Sequence, residues 1–352
     1  MIKRLRALIF NYINGLNMIN GTLQYPVYKN DRHLTPKEKG NILSKRATDK
    51  SNVFHGYNFI KMNSSYMECV NNSFFLKGNS YFNFLGVLLI GAPIILSLWI
   101  FTFYVNLIKY DHEFLSFIVI FSPMHILFFC ILYVFYKGFQ NFKKYEKLGY
   151  NYYPIRFNRI NQKVYVYDVS GQIFIGDWNK IDFILNSRLG GYEGTFWEVK
   201  GFIKDNKDLI VYTFAFALSK NKKQETLEIW EFIKEYMNNG PEKLYFNKKV
   251  AGVIHRLPAE KLSYCLNIEV HPESLETSKE IVALDYQSEI RSFYSRAMIK
   301  ILGNTRNKFI RADKQPKWPQ NVENECQVDA TDPYVVDAST TYQLDTFGKI
   351  IK

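Results

Sequence analysis

Two long uncharged stretches, residues 78–108 and 114–136, dominate the hydropathy pattern and are separated only by Lys109-Tyr-Asp-His-Glu113. A hydrocarbon core about 30 Å thick takes roughly 20 helical residues. Each run therefore predicts a membrane-spanning helix, and the short connection predicts a two-helix transmembrane hairpin over residues 80–136. Pro93 and Pro123 fall inside the runs and predict kinks, because proline removes a backbone hydrogen bond and crowds the preceding turn. Tyr81, Trp99, Tyr104, Tyr110, Tyr133 and Tyr136 have the placing of an interfacial aromatic belt.

The flanks read differently. Within an N-terminal arm, residues 1–79, Ile2, Leu5, Leu8, Ile9, Tyr12, Ile13 and Leu16 recur at helical spacing beside Lys3, Arg4 and Arg6, which predicts an amphipathic helix on a membrane surface or packed against the body. Residues 25–40 are polar, carry Pro26 and Pro36, and predict an ordered loop or flexible arm. Residues 61–79 alternate between apolar and polar and predict a strand or two added to a later domain.

After Pro154 short aromatic and β-branched runs begin: 156–160, 163–167, 172–175, 180–184, 195–203 and 209–217, separated by turn residues such as Ser170-Gly171 and Asp205-Asn206. They predict an antiparallel meander or barrel. Residues 225–239 then change period, with Leu227, Trp230, Ile233 and Met237 on one stripe and Gly240-Pro241 as a stop. Strands closed by one amphipathic helix, residues 151–240, outline a pleckstrin-homology-like domain. Trp178 and Trp197 are expected to fill its core. A basic juxtamembrane linker (137–150) precedes it. A helical extension (241–312), with a helix over 279–302 capped at Thr277-Ser278, and a polar, partly disordered tail (313–352) follow. The predicted class is an α+β membrane protein.

Basic residues orient the hairpin. Lys45, Arg46, Lys50, Lys61 and Lys77 precede it, and Lys137, Lys143, Lys144 and Lys147 follow it, whereas the connecting loop carries one lysine. Retention of Lys and Arg in the cytoplasm places both termini there.

The formal charge of +12 raises nucleic acid or anionic lipid as partners. The lysines are spread through an Asn-, Ile- and Phe-rich chain and cluster only beside the hairpin, which argues against nucleic acid. Lys143, Lys144 and Lys147, with Arg156 and Arg159 read as alternating on one strand face, are the candidate lipid- or partner-binding groups. His125 is the one titratable side chain inside a run, a candidate for a proton path in a small oligomeric channel, or else a neutral imidazole bonded to Ser97. Cys69, Cys130, Cys265 and Cys326 form no C-x-x-C pair, the six histidines are scattered, and nucleotide-binding, zinc-protease and serine-hydrolase motifs are missing. The expectation is a chain that is not an enzyme and takes no cofactor or metal.

The order of parts resembles an uncharacterised bacterial family of two-span membrane proteins associated with type VI secretion effector and immunity loci. The matching residues are Asp31-Arg-His-Leu-Thr-Pro36, Arg156-Phe-Asn-Arg159, Val164-Tyr-Val166, Trp178, Trp197 and Lys317-Trp-Pro319. The resemblance implies a multi-pass protein of the bacterial inner membrane that binds a protein partner, as an immunity or accessory factor of a secreted effector, and it supplies no catalytic residues. The alternatives are a membrane scaffold or sensor for anionic lipid, a channel, and possible homo-oligomers of the chain.

Overall fold

The computed structural model describes residues 28–46, 58–75, 77–78, 91–109, 129–130, 132–133, 135–137, 139–140, 149–189, 195–220, 222–250, 253–258, 265–269, 273–285, 293–312 and 314–340. A short helix, α1 (Pro36–Lys39), opens the described chain. Thr35 and Glu38 form a reciprocal capping box at its start. Strands β1 (Phe59–Met62) and β2 (Tyr66–Val70) come next. Helix α2 (Ala92–Lys109) then separates them from β3 (Pro154–Asn158), β4 (Lys163–Tyr167) and β5 (Ile173–Asp177).

These five strands make one antiparallel sheet in the order β1-β2-β3-β4-β5. The alternating residues ahead of the apolar runs thus pair directly with the strand that begins at Pro154, Val70 lying opposite it. A second antiparallel sheet holds β6 (Asp182–Leu189), β7 (Thr195–Lys204) and β8 (Ile210–Lys220). Helix α3 (Lys223–Asn239) follows, and β9 (Tyr245–Val250) and β10 (Val253–Pro258) form a separate hairpin. The remaining helices are α4 (Leu275–Asp285), α5 (Phe293–Ala312) and α6 (Gln320–Glu325).

The main core lies between the two sheets and α3. Ile229, Trp230, Phe232, Ile233, Tyr236 and Met237 recur at three- and four-residue spacing on α3 and are all buried. Trp230 packs 4.8 Å from Phe183 and 5.7 Å from Trp178 between ring centroids, and Phe157 meets Phe216 at 5.5 Å. Burial of each such side chain contributes on the order of 2 kcal/mol. The helix ends at Gly240, whose φ of 80° lets its N–H return to the Tyr236 carbonyl at 3.0 Å. Trp178 sits in this core as its aromatic neighbourhood suggests, whereas Trp197 is only half-buried, with the Lys223 ammonium 5.3 Å from its ring.

The structure corrects the membrane reading. Among the described residues no helix is long and apolar enough to cross a membrane. Of the first apolar run the described helix covers Ala92–Lys109. Gly91, ahead of Pro93, is itself helical, and residues 79–90, on which the expected kink at Pro93 depends, lie outside the described residues. Ser97, expected as a partner for His125, donates to the Ile94 carbonyl of its own helix at 2.8 Å. Most of the second run, with Pro123 and His125, lies outside the described residues. The expected transmembrane hairpin, the multi-pass inner-membrane location and the membrane class of the fold are overturned by this finding. An uninterrupted apolar run does not by itself say how much of it forms one continuous helix.

The single pleckstrin-homology-like barrel also gives way to two separate antiparallel sheets. The helix expected over 279–302 is two: α4 begins earlier, with the Ser274 hydroxyl accepting from the Thr277 N–H at 3.0 Å, and α5 packs back on it. Of the expected tail, residues 314–340 are described and pack on the sheet. Met62 and Val336 exchange both backbone hydrogen bonds, at 2.8 and 2.9 Å, which caps the β1 edge.

Candidate functional site

A single row of residues crosses the five-stranded sheet. Antiparallel register sets Lys61 opposite Glu68, Glu68 opposite Arg156, and Arg156 opposite Tyr165. Side chains alternate between faces along a strand, so Ile155 and Phe157 of β3 enter the core while Arg156 and Asn158 share the opposite face. Arg159 is three residues from Arg156 and lies past the end of the strand, so the two arginines are not neighbours on one face. Period two forbids it.

Arg156 is fully buried. Its Nε donates to Glu68 Oε1 at 2.6 Å, and its two terminal nitrogens each reach Glu323 at 3.1 Å. The guanidinium lies between two rings, 4.2 Å from Tyr66 and 4.9 Å from Trp318. Trp318 Nε1–H donates to the same Glu68 oxygen at 2.9 Å, and Lys61 bridges Glu68 (3.7 Å) and Glu269 (2.8 Å). Burial alone would favour neutral groups, but Glu68 and Glu323 outweigh it and hold the Arg156 pKa above its ordinary value. Lys61 is likewise raised, its burial more than offset by Glu68 and Glu269. Burial raises the Glu269 carboxyl despite Lys61, and burial with the Glu68 charge pushes the Tyr66 hydroxyl up to about 12.

Residues 314–340 close this face. Pro316, Val322, Cys326 and Val336 are buried, while much of the segment between them is exposed. Glu325 accepts from Lys163 and from the Tyr165 hydroxyl, each at 2.6 Å, and the Lys163 and Tyr165 hydrogen bonds lower its pKa. Asn158 Nδ2 donates to the Glu325 carbonyl at 2.9 Å and to Cys326 Sγ at 3.2 Å. Farther along, Asp332 accepts from the Ser64 N–H and hydroxyl at 2.6 and 2.8 Å. The segment is therefore a strap with spaced anchors over an aromatic and cationic surface.

Of the candidate residues read from sequence, Arg156 is committed to two glutamates inside the chain and has no surface to offer a phosphate. Arg159 is part-buried and donates to the Ser64 carbonyl at 2.9 Å. Lys143, Lys144, Lys147 and His125 lie outside the described residues. Glu68, Glu323, Glu325 and Trp318 were not singled out as site residues. The available signal was the strand alternation that separates Arg156 from its apolar neighbours, since a buried arginine requires carboxylates.

Two of the motifs that carry the family resemblance meet here. Arg156-Phe-Asn-Arg159 supplies the guanidinium and Asn158, and Lys317-Trp-Pro319 supplies the indole over it. Asp31-Arg-His-Leu-Thr-Pro36 lies elsewhere: Arg32 grips Glu38 through two 2.7 Å bonds, and the Asp31 N–H and Arg32 carbonyl pair with Ile210 at the start of β8.

The chemistry of the cluster is that of holding, since its acids and bases face one another. Among the described residues no group of three or more His, Cys, Asp and Glu side chains is placed to bind a metal ion. The apolar cavity behind the sheet, lined by Phe59, Met67, Phe216 and Ile233, amounts to about 10 Å³, room for about one water.

A second buried pair anchors the helical end. Arg306 meets Glu273 through Nε (2.7 Å) and Nη2 (2.9 Å) and donates to the Phe74 carbonyl at 2.6 Å. It fixes α5 against the turn after β2.

No curated protein and no solved structure matches this chain. A model of a family of unknown function, DUF6708, matches residues 125–330, which take in β3 to β10, α3 to α6 and the first part of the strap. That match carries no assignment to membranes or to secretion. It covers more than half of the 352 residues, and the chain belongs to the DUF6708 family of unknown function.

Proposed function

We propose that this chain is a non-enzymatic protein-binding factor, and that its partner is a type VI secretion effector or a component of its delivery, for which the chain acts as an immunity or accessory protein. The observation that carries the binding reading is the strapped sheet face. Aromatic rings and paired charges grip the segment 314–340, including the short helix α6, through widely spaced anchors, which is how folded domains recognise linear pieces of other proteins. The secretion setting comes from the likeness of the Asp31–Pro36, Arg156–Arg159 and Lys317–Pro319 motifs to proteins encoded beside such effectors.

The test is co-purification of the tagged full chain with the product of a neighbouring toxin gene, alongside competition between a deletion strain and its toxin-armed parent. Stoichiometric co-elution and killing of the deletion strain are expected. Normal survival of that strain, with no complex at micromolar concentrations of both proteins, would sink the reading.

A further inference from the structure

We propose that the outer face of the five-stranded sheet is a receptor for an acidic peptide segment carrying a Trp-Pro anchor, and that the chain's own strap occupies it in the absence of a partner. This rests on the protein-binding reading above and names its site and the chemistry of its ligand.

Three features of the face carry the inference. The surface beneath the strap is formed by Tyr66, Arg156, Asn158, Lys163, Tyr165 and Tyr167, an aromatic and cationic set. The strap answers it with one indole and two carboxylates: Trp318 lies on Arg156 and packs 5.6 Å edge-on to Tyr167, Glu323 reaches Arg156, and Glu325 reaches Lys163 and Tyr165. The complementarity is specific in shape and in sign.

The strap's ionic contacts are also the wet ones. The Glu323 side chain is 42% exposed and that of Glu325 38%, so both carboxylates return to water at small cost when the strap lifts. Arg156 does not lose its counter-charge in that event, because Glu68 belongs to the sheet itself and stays paired with it. Breaking a buried pair is what ordinarily makes such an opening prohibitive, and here the buried pair survives. The charged part of the face stands without the strap, while the apolar patch that Val322 and Cys326 cover against Tyr66 and Tyr165 is left for a partner segment to cover in their place.

A partner segment with the same register of Trp-Pro and acidic residues would compete for this surface, and its apparent affinity would be reduced by the fraction of chains already strapped. Loosening the strap must then strengthen binding in trans.

The experiment uses a fluorescent synthetic peptide of residues 314–340, read by anisotropy against the full chain. Weak uptake by the parent chain is expected, with an increase of about tenfold or more when the chain carries Trp318→Ala, the size of effect typical of a buried aromatic anchor. The same substitution in the peptide should abolish uptake. Should Trp318→Ala no longer melt cooperatively, Glu323→Gln/Glu325→Gln in the chain takes its place, since both positions are part-exposed. Failure of a folded, loosened chain to take up the peptide overturns the proposal, as does equal uptake of a scrambled peptide. Dimerisation of the loosened chain without peptide uptake would assign the face to a second copy and also overturn it. Effector binding that survives intact in Trp318→Ala without strengthening would remove this site while leaving the protein-binding reading. Peptide uptake by a chain that binds no effector would do the reverse.

Discussion

Arg156 is the residue on which the candidate site turns. Its guanidinium has lost contact with water and regained it as hydrogen bonds to Glu68 and Glu323 and as two stacked rings. Replacing it with methionine keeps most of the volume and leaves buried Glu68 with Lys61, 3.7 Å away, as its cation and the Trp318 N–H as its donor. Arg156→Met should destabilise the chain by about 3–5 kcal/mol, whereas Glu68→Met/Arg156→Met should recover part of that loss because no unpaired charge remains buried. Urea unfolding of the three proteins measures both, and a single-variant loss under about 1 kcal/mol would contradict the assignment. Titration at Glu38 supplies a second prediction. Its hydrogen bonds to Arg32 hold the carboxyl down from 4.5 to about 2. A depressed folded pKa means that the stabilisation is present above the ordinary carboxylate value and is lost as pH falls through the folded one. Glu38→Gln should therefore shrink the stability gap between the parent and variant chains as pH drops from 5 towards 2. Glu269, raised by burial, has the opposite sign, disfavouring the folded chain more as pH rises.

At the scale of elements, the helical end depends on a close crossing. A Cβ built at Gly303 on α5 would stand 2.6 Å from Lys279 Cγ and 2.9 Å from its Cα on α4. The latter is backbone, so a rotamer change alone cannot make room. Gly303→Ala would ordinarily favour a helix by about 1 kcal/mol, but here the two helices must separate, and a net loss of about 1–3 kcal/mol is expected by thermal or urea unfolding. A stabilised variant would show that the crossing is looser. The same elements show what could be read in advance. The α3 stripe, the turn at Gly240 and the strands after Pro154 follow from spacing and turn chemistry, because a helix face or a pleat writes its period directly into the chain. The start of α4 at Ser274, one turn before the expected Thr277-Ser278, and the division of 279–302 into two helices do not, since several Ser and Thr residues there compete as caps.

For the whole molecule, the five-stranded sheet draws β1 and β2 from before the apolar runs, β3 to β5 from after them, and its cover from the chain's last described segment. The family match begins at residue 125, yet the row Lys61–Glu68–Arg156 crosses that point. A fragment of residues 149–340 would leave the β3 edge unpaired, strip one side of the core and remove Glu68 from Arg156. It should show no cooperative unfolding transition, and co-expression with residues 28–78 should restore one. Cooperative melting of the fragment alone would overturn this account of the architecture.

The local periods are written in the chain: which stretches alternate, which stripe of residues 225–239 turns inward, and where glycine and proline stop an element. These depend on neighbours within a few residues. Packing in three dimensions sets the two strand sets into separate sheets, leaves no helix among the described residues long and apolar enough to cross a membrane, and turns Arg156 to an internal ion pair instead of a surface. Each of those outcomes is set by partners far along the chain, Glu68 and Glu323 for Arg156, and pairing across such separations follows from register and charge in three dimensions, which no local pattern of polar and apolar residues encodes.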